Sequence, residues 1–340
     1  MISKKVILLL APVAFCLYLI SVPYKSTKGE GLLNNETRVT NESAGLAKNN
    51  FPRIIILWTS WRSGSTYMGR LLASGLPDTF FSLEPLHKWQ GRLAAINHEN
   101  NTATSEAMKF IRGLLRCSID SSYDSHVLHQ SKCPFYLKAN VFLYRNCREV
   151  NQCANTTFVN EICQRANIHV MKLLRLSLKW AWSLLEDDDL DLQIIYLARD
   201  PRAVLKSRSI VPWCGHKTCW DPKTVCSLLE DDLQEAKKII RKFPKKFKFI
   251  QYEKVFSDLL KNLEDIMSFV GLKMSDAQRR IIAKNNGKNT TDFPSRWRAE
   301  ADFGQVAIQQ RECQKPLSEL GLRIFNSNDE LLNMQLPLVL

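Results

Sequence analysis

The sequence is strongly basic but lacks the patterns that are typical of proteins that bind nucleic acid. Its 340 residues have a formal net charge of +13. It contains no long block of Lys and Arg and no zinc-finger spacing of Cys and His, which argues against nucleic acid as the partner. The excess of positive charge is instead compatible with an anionic cofactor, with anionic glycans or simply with solubility.

The nucleoside-triphosphatase loop, G-x-x-x-x-G-K-[ST], is also absent. Where such a loop would stand, residues 59–66, there is one glycine, Gly64, and no lysine beside Ser65 or Thr66. This turn follows a short apolar, β-branched run at 54–58 and precedes apolar residues at helical spacing. The pattern predicts a buried strand, a tight turn and a helix.

A strand–turn–helix unit of this kind is suited to binding phosphate or sulfate. Unpaired backbone N–H groups and the positive end of the helix dipole converge on one spot. Arg62 adds a full positive charge with a planar fork of donors. The alternative is an ordinary turn whose helix is capped by Ser63 or Ser65.

The N-terminal region has an apolar run at residues 6–22, preceded by Lys4 and Lys5. No A-x-A cleavage site follows this run, so we expect a retained membrane anchor rather than a cleaved secretory signal. The flanking lysines would stay in the cytosol, which makes residues 1–23 a cytosolic tip and signal anchor. Residues 24–50 are polar and predict a flexible stem, and residues 51–340 form the lumenal domain.

Two features agree with a location of this domain in the lumen of the secretory pathway. Five Asn-x-Ser/Thr sequons could carry glycans: Asn35, Asn41, Asn100, Asn155 and Asn289. The chain has ten cysteines, many for a cytosolic protein of this size. With Cys16 in the anchor, nine remain, and an odd number predicts at least one free or intermolecular thiol.

Local disulfides are plausible in two groups of cysteines: Cys147, Cys153 and Cys163, and Cys214, Cys219 and Cys226. Cys214-Gly-His216-Lys-Thr-Cys219 could also be interpreted as a set of metal ligands. It matches no standard zinc spacing, so a disulfide is the better interpretation.

Further strands are predicted at 79–83, 168–174, 193–198 and 247–252, alternating with helices. This alternation predicts an α/β fold with a mainly parallel sheet covered on both faces. Residues 88–165 form an insertion that we expect to be largely looped, apart from a helix at 104–116.

In such a sheet, ligands bind beyond the carboxyl ends of the strands. Four polar stretches follow predicted strands and should meet there: residues 59–66, Glu84, residues 172–175 and residues 199–207. Three of these stretches are basic and one supplies a carboxylate. This convergence is the strongest functional indication from the residues alone.

Several motifs then resemble a known family. Ser60-Trp-Arg-Ser-Gly-Ser-Thr66 resembles the 5′-phosphosulfate loop of Golgi carbohydrate sulfotransferases. Tyr196-Leu-Ala-Arg-Asp-Pro-Arg-Ala-Val-Leu-Lys-Ser207 resembles their 3′-phosphate motif. Further segments match motifs of the same family, in the same order along the chain: Glu84-Pro85, Val170-Met-Lys-Leu-Leu-Arg175, Gln251-Tyr-Glu253, Trp297-Arg298 and the later Cys313. The branch that looks most similar comprises the 6-O-sulfotransferases of N-acetylglucosamine, galactose and N-acetylgalactosamine.

The resemblance implies a sulfate donor, 3′-phosphoadenosine 5′-phosphosulfate (PAPS), and a fold similar to the P-loop nucleotide kinases. It also implies two groups of donor-binding residues: Trp61, Arg62, Ser63, Gly64, Ser65 and Thr66 at the 5′-phosphosulfate, and Arg199 and Ser207 at the 3′-phosphate. Some branches have lysine in place of Arg62, and the Arg-Lys-Gly motif of cytosolic sulfotransferases is absent.

Sulfate transfer needs a general base and cations that neutralise the leaving group. We assign Glu84 as the base, with Arg62 and Lys172 as catalytic cations. Glu84 could instead be a structural carboxylate paired with Arg62 or Lys172. His87 is the rival base because its ordinary pKa is near neutral.

Three further residues each have two possible roles. Arg175, like Lys172, could contact the sulfuryl group or an acidic glycan, or lie on a solvated rim. Trp297 and Arg298 could stack on adenine or a sugar, although core packing suits Trp297 equally well. We expect no metal, because the sequence has no acidic metal-binding cluster.

The sequence therefore predicts a Golgi type II membrane enzyme that transfers sulfate from PAPS to a glycan or glycosaminoglycan hydroxyl, at carbon 6 of a hexose or hexosamine. Two alternatives remain open. One is an ATP-dependent, P-loop kinase-like enzyme, and the other is a non-catalytic glycan-binding protein on the same scaffold.

Overall fold

The computed structural model describes residues 52–89, 102–211, 214–215, 217–286 and 294–340. The predicted anchor (1–23) and stem (24–50) lie outside the described residues and stay predictions. Within the described residues, no helix is both long and apolar enough to cross a membrane.

Five strands form one parallel sheet. They are β1 (Arg53–Thr59), β2 (Thr79–Leu83), β3 (Ile168–Leu173), β4 (Leu192–Ala198) and β5 (Phe247–Gln251). Their order across the sheet is β2-β3-β1-β4-β5. All five predicted strands are confirmed, within one residue at each end, because they are short and mostly apolar, and β1 to β4 are buried on both faces.

The sheet separates two apolar layers. Along β1, Ile54 and Ile56 face one layer while Ile55 and Leu57 face the other, as the two-residue period of a strand requires. Each of these four side chains is fully buried. Helices cover both faces, which confirms the predicted α/β fold of P-loop kinase type.

The α-helices follow the chain in this order: α1 Ser65–Ala73, α2 Thr102–Leu115, α3 Asp124–Ser131, α4 Pro134–Ala139, α5 Val141–Asn146, α6 Val150–Cys153, α7 Thr156–Arg165, α8 Trp182–Leu185, α9 Pro201–Ser209, α10 Lys217–Trp220, α11 Pro222–Lys242, α12 Tyr252–Ser257, α13 Leu259–Phe269, α14 Asp276–Asn286, α15 Phe303–Glu312, α16 Gln314–Glu319 and α17 Asn328–Leu332. Short 3₁₀ turns lie at His87–Trp89, Ser121–Tyr123, Leu178–Ala181 and Arg296–Glu300.

Local sequence explains several helix starts. Asp200 and Asp221 each accept a hydrogen bond from a backbone N–H in the first turn of α9 and α11, and proline occupies the next position in both. These are the capping residues and first-turn prolines expected of helix N-termini.

The prediction that residues 88–165 are largely looped is wrong for the part the structure describes. Residues 102–165 contain six helices, α2 to α7. Helices α3 to α6 have only four to eight residues, too short to show a clear periodicity in the sequence. Their apolar residues join the two layers beside β2, as Leu137 and Leu143 do on one side and Tyr136 does on the other.

Four disulfides are seen: Cys117–Cys163, Cys147–Cys153, Cys214–Cys219 and Cys226–Cys313. The second and third confirm the local pairs, whereas the first and fourth link distant segments that spacing could not reveal. Cys133 is disulfide-bonded as well. Among the described residues no cysteine is free, so the expectation of an unpaired thiol is wrong there.

Candidate active site

The predicted phosphate loop lies between β1 and α1 and has an unusual backbone. Arg62 has φ of 66° and Gly64 has φ of 85°. Positive φ is costly for a residue with a side chain, and such strain concentrates at functional sites. The Ser63 hydroxyl lies inside the turn, where it bonds to the Thr59 hydroxyl at 2.6 Å and donates to the Ser60 carbonyl at 2.8 Å.

Gly64 is required by space as well as by backbone conformation. A Cβ on this residue would lie 2.2 Å from Cε2 of Tyr252, the first residue of α12. The Tyr252 ring therefore packs directly on the loop backbone, and the loop is closed on that side. Gly64 also precedes the first residue of α1, so the backbone N–H groups of this helix start face the turn.

The predicted 3′-phosphate segment contacts the phosphate loop directly. Arg62 Nε donates to Ser207 Oγ at 2.9 Å, and Arg199 Nη1 donates to the Arg62 carbonyl at 2.9 Å. The Arg199 guanidinium lies 4.4 Å from the centre of the Tyr252 ring, within cation–π range. Two motifs that are 137 residues apart in the chain thus form one site.

The carboxylate of Glu84 is held by two cations from the end of β3. Lys172 Nζ lies 2.8 Å from Glu84 Oε1, and both terminal nitrogens of Arg175 lie 3.1 Å from Glu84 Oε2. Lys172 also donates to Thr66 Oγ1 at 2.8 Å, which joins this group to the phosphate loop. Glu84 pairs with Lys172 and Arg175 rather than with Arg62.

These partners set the protonation states in the group. Burial by itself would raise the pKa of Glu84, but the charges of Lys172 and Arg175 outweigh that effect and lower it to about 2. Burial lowers the pKa of Lys172, and Glu84 opposes that change. Glu84 is therefore a carboxylate at physiological pH, engaged through both oxygens. Glu84 and Arg175 also have positive φ, 52° and 77°.

His87 lies next to this group in a different state. Its backbone N–H donates to the Glu84 carbonyl at 3.0 Å, and its Nδ1 lies 3.0 Å from Nε2 of His129. Burial, followed by the charge of Arg175, lowers the pKa of His87 to about 3. Its imidazole is therefore neutral at physiological pH.

Trp297 and Arg298 do not present side chains to this edge of the sheet. Arg298 is fully buried and donates to the carbonyls of Leu331, Leu336, Glu330 and Asn333. The predicted ligand role of Arg298 is wrong, because its guanidinium holds the C-terminal segment. Trp297 is part of the core, the alternative that the sequence left open.

Sequence reasoning gave no site role to four residues that the structure places there: Tyr252, Arg208, Gln130 and Glu253. Gln130 donates to the Glu84 carbonyl at 2.9 Å, and Glu253 accepts from the Asp200 backbone N–H at 2.9 Å. Tyr252 and Glu253 follow β5 directly, so the rule that placed other residues at strand ends could have found them. Nothing in the local pattern marked Arg208 or Gln130.

The arrangement is suited to an anion with more than one charged group. Four cationic side chains lie at the same edge of the sheet: Arg62, Arg199, Lys172 and Arg175. The Glu84 carboxylate pairs with two of them, Lys172 and Arg175. The Nε atoms of Arg175 and Arg199 are buried and have no hydrogen-bond partner among the described residues, and unsatisfied buried donors of this kind call for a functional explanation. In the described part of the chain, no group of His, Cys, Asp and Glu could hold a metal ion.

Comparison with solved structures finds similar chains, including the following two. The sulfotransferase domain of the olefin synthase of Synechococcus PCC 7002 is 16% identical, with a TM-score of 0.42, covering 84% of this chain and 100% of that one. Retinol dehydratase, solved with androsterone and inactive cofactor PAP, is 16% identical, with a TM-score of 0.41, covering 82% of this chain and 84% of that one.

Comparison by sequence finds relatives across most of the chain. Human carbohydrate sulfotransferase 6 is 24% identical over 98% of this chain and 92% of its own length. Human carbohydrate sulfotransferase 1 is 26% identical over 89% of this chain and 87% of its own length. The sulfotransferase domain family matches residues 52–300, which include β1 to β5 and every site residue described above. The chain belongs to the sulfotransferase domain family.

Proposed function

We propose that this sulfotransferase moves sulfate from PAPS to a glycan or glycosaminoglycan hydroxyl, at carbon 6 of a hexose or N-acetylhexosamine. The observation that supports it best is the direct contact between two anion-binding segments, Arg62 with Ser207 and Arg199 with the Arg62 carbonyl. PAPS has charged groups at its 5′ and 3′ ends, and a site of this form matches both.

The acceptor class rests on the relatives. Carbohydrate sulfotransferases 1, 2, 4, 5 and 6 of human or mouse are 22–26% identical to this chain. The net charge of +13 also suits an acidic glycan. Carbon 6 is the finer part of the proposal and follows from the motif resemblance.

The described residues fit the donor by chemistry. Backbone N–H groups at the start of α1, with Ser65 and Thr66, would hold the 5′-phosphosulfate, and Trp61 would border it. Arg199, with its unused Nε, and Ser207 would hold the 3′-phosphate. When bound, PAPS supplies a sulfuryl group on a phosphate leaving group.

Lys172 and Arg62 would stabilise the charge that develops as the sulfuryl group departs from phosphate. Both belong to the network around the phosphate loop, since Lys172 donates to Thr66 and Arg62 donates to Ser207. Their cationic groups are held before any ligand binds, which lowers the reorganisation needed during the reaction.

Glu84 would accept the proton of the attacking hydroxyl. With a pKa of about 2 it is a weak base while Lys172 and Arg175 hold both oxygens. An anionic group beside these cations would compete for their charge and so raise the pKa of Glu84 toward a useful value. His87 is neutral and remains the alternative base.

The test is transfer of labelled sulfate from PAPS to keratan- and chondroitin-type acceptors by the purified chain, with linkage analysis of the product. Arg62→Ala and Arg199→Ala should lose transfer while remaining folded. Full activity in both variants would overturn the site assignment. Binding of ATP–Mg²⁺ without binding of adenosine 3′,5′-bisphosphate would favour the kinase-like alternative. Retained glycan binding with no turnover in any condition would favour a binding protein.

We also propose that the enzyme works in the Golgi lumen, as a type II membrane protein anchored by residues 1–23. Four disulfides and an exposed sequon residue, Asn155, support an oxidising, glycosylating compartment. Expression in secretory cells should give a glycosidase-sensitive band that co-fractionates with Golgi membranes. A cytosolic, unglycosylated product would contradict this part of the proposal.

A further inference from the structure

Arg208, near the end of α9, has no role in the function proposed above, yet it contacts the phosphate loop closely. Its side chain is only 4% exposed. Nη2 and Nε donate to the Trp61 carbonyl at 3.0 and 3.3 Å, and Nη1 donates to the Cys219 carbonyl at 3.3 Å. Burial and the nearby charge of Arg62 lower the pKa of Arg208 to about 9, so it remains a cation at neutral pH.

The contact of Arg208 with the Trp61 carbonyl constrains the backbone of the phosphate loop. This carbonyl belongs to the same planar peptide unit as the Arg62 nitrogen, and Arg62 has φ of 66°. Fixing that carbonyl therefore fixes the peptide plane from which the strained residue departs. Arg208 also lies 5.7 Å from the centre of the Trp61 ring, so it contacts both the backbone and the side chain of the loop.

Helix α9 thus holds the phosphate loop at two consecutive residues. Ser207 accepts a hydrogen bond from Arg62 Nε, and Arg208 donates to the Trp61 carbonyl. Arg199, just before the helix, donates to the Arg62 carbonyl. Of these three residues, Ser207 and Arg199 are assigned to bind the donor, whereas Arg208 donates to two backbone carbonyls, those of Trp61 and Cys219.

The second acceptor of Arg208 belongs to a short disulfide hairpin. Cys219 lies in α10 and is bonded to Cys214, and the chain from Cys214 to Cys219 leads from α9 to α11. One guanidinium therefore joins three segments: the phosphate loop, the 3′-phosphate helix and this hairpin. A lysine has the same charge but lacks the planar fork of donors, so it could not hold both carbonyls in this geometry.

We propose that Arg208 is a positioning residue that sets the spacing between the phosphate loop and α9, and thereby the preference for nucleotides that carry a 3′-phosphate. The inference rests on the proposed function, because it assumes that these segments bind opposite ends of one nucleotide. A nucleotide with both phosphates needs the correct spacing, whereas one with only the 5′-phosphate needs the loop alone.

The test compares the affinities of adenosine 3′,5′-bisphosphate and adenosine 5′-monophosphate, measured by calorimetry on the purified chain. In Arg208→Lys we expect the preference for the bisphosphate to fall about tenfold, the value of one hydrogen bond to a charged group. The affinity for the monophosphate should fall less than the affinity for the bisphosphate, because the monophosphate needs only the loop and not its spacing from α9. In sulfate-transfer assays the KM for PAPS should rise while the KM for the glycan stays constant.

The matched control is Arg298→Lys. Arg298 is also a buried arginine that donates to backbone carbonyls, but it holds the C-terminal segment. The Arg298→Lys substitution should lower thermal stability and leave the preference for the bisphosphate unchanged. An unchanged preference in Arg208→Lys, or an equal loss of affinity for both nucleotides, would overturn the inference.

A second variant covers the case in which Arg208→Lys does not fold. Replacing both Cys214 and Cys219 by serine opens the hairpin and frees the Cys219 carbonyl, which should lower the preference about threefold, roughly half the effect in free energy. An unchanged preference in that variant would also overturn the inference. If the native chain shows no preference for the bisphosphate, the proposed function itself fails.

Discussion

At the scale of single residues, the site contains several residues whose backbone has a positive φ, a conformation that costs free energy for a residue with a side chain. Within the described part of the chain, five non-glycine residues have positive φ, and three of them are Arg62, Glu84 and Arg175. Each of them holds or supplies charge at the same edge of the sheet. Strain of this kind persists only where surrounding contacts enforce it, and here the contacts are the ion pairs and hydrogen bonds of the site.

The role of Glu84 can be tested by Glu84→Gln. We expect sulfate transfer to fall at least about 100-fold, as for loss of a general base. The affinity for adenosine 3′,5′-bisphosphate should hold or increase, because Lys172 and Arg175 lose their competing carboxylate. Transfer rates and calorimetry would measure the two effects.

The control for Glu84→Gln is Glu264→Gln, which removes an exposed carboxylate paired with Arg279 at 2.8 Å. Exposed pairs contribute little, so both activity and nucleotide affinity should match those of the native chain. Transfer within a few-fold of the native rate in Glu84→Gln would mean that this carboxylate is structural and that His87 deserves the same test.

Gly64→Ala tests the closed form of the phosphate loop. The new Cβ would meet the Tyr252 ring at 2.2 Å, and φ of 85° is unfavourable for alanine. We expect loss of nucleotide binding and a free energy of unfolding lower by about 1–3 kcal/mol. Chemical denaturation and calorimetry would measure both.

Gly215→Ala is the matched control, since a Cβ there would have no heavy atom of the described residues within 4 Å, apart from its own chain neighbours. It should leave stability and nucleotide affinity unchanged. Normal nucleotide affinity in Gly64→Ala would show that the loop does not need its observed backbone to bind the donor.

At the scale of elements, the long helix α11 positions the loop that carries Arg175. Asp232 on this helix accepts hydrogen bonds from the Leu178 backbone N–H at 2.7 Å and from the Ser177 and Tyr196 hydroxyls at 3.2 Å. Removal from water raises the pKa of Asp232 to about 7, although these three hydrogen bonds oppose the change. The helix therefore holds this loop at a cost in stability when Asp232 is charged.

The raised pKa of Asp232 makes the free energy of unfolding depend on pH, and the direction of the shift sets the sign of that dependence. Between the ordinary pKa of an aspartate, 3.8, and about 7, the folded state binds more protons than the unfolded state. Stability therefore falls as pH rises through that window. Asp232→Asn cannot titrate, so its stability relative to the native chain should increase by about 1–3 kcal/mol between pH 5 and pH 8.

Urea unfolding at several pH values would measure this difference. Asp231→Asn, which changes an exposed neighbour on the same helix, is the control and should show no such trend. A difference that does not vary with pH would contradict the raised pKa of Asp232.

At the scale of the whole molecule, disulfides connect segments that lie far apart in the chain. Cys226–Cys313 spans 87 residues and joins the start of α11 to the end of α15. Cys214–Cys219 spans only five. The entropy that a cross-link removes from the unfolded chain grows with the closed loop.

Replacing Cys226 and Cys313 by serine should therefore lower the free energy of unfolding by roughly 4–5 kcal/mol. Replacing Cys214 and Cys219 should lower it by only about 2 kcal/mol. Thermal and chemical unfolding of both double variants would measure the effects. An equal or reversed order would show that the long cross-link does not stabilise the fold through the unfolded state.

The five strands and most of the candidate site could be predicted from the sequence. The strands are short, mostly apolar runs, four of them buried on both faces, and their pattern is local. The site residues directly follow strands, so a rule about parallel sheets could group them before any contact was known. The small helices between residues 124 and 153 could not be predicted, because their apolar residues are fixed by packing against β2 and not by a helical repeat.

The sequence by itself determined that polar turns with basic residues follow parallel strands, because strand runs, helix caps and the single glycine are local features. Only the tertiary structure decided which charges meet: Glu84 with Lys172 and Arg175, Arg62 with Ser207, and Arg208 with the Trp61 carbonyl. It also placed Arg298 under the C-terminal segment and away from the site. The reason is physical, since pairing depends on distances between segments that are up to 147 residues apart in the chain, and local patterns do not record those distances.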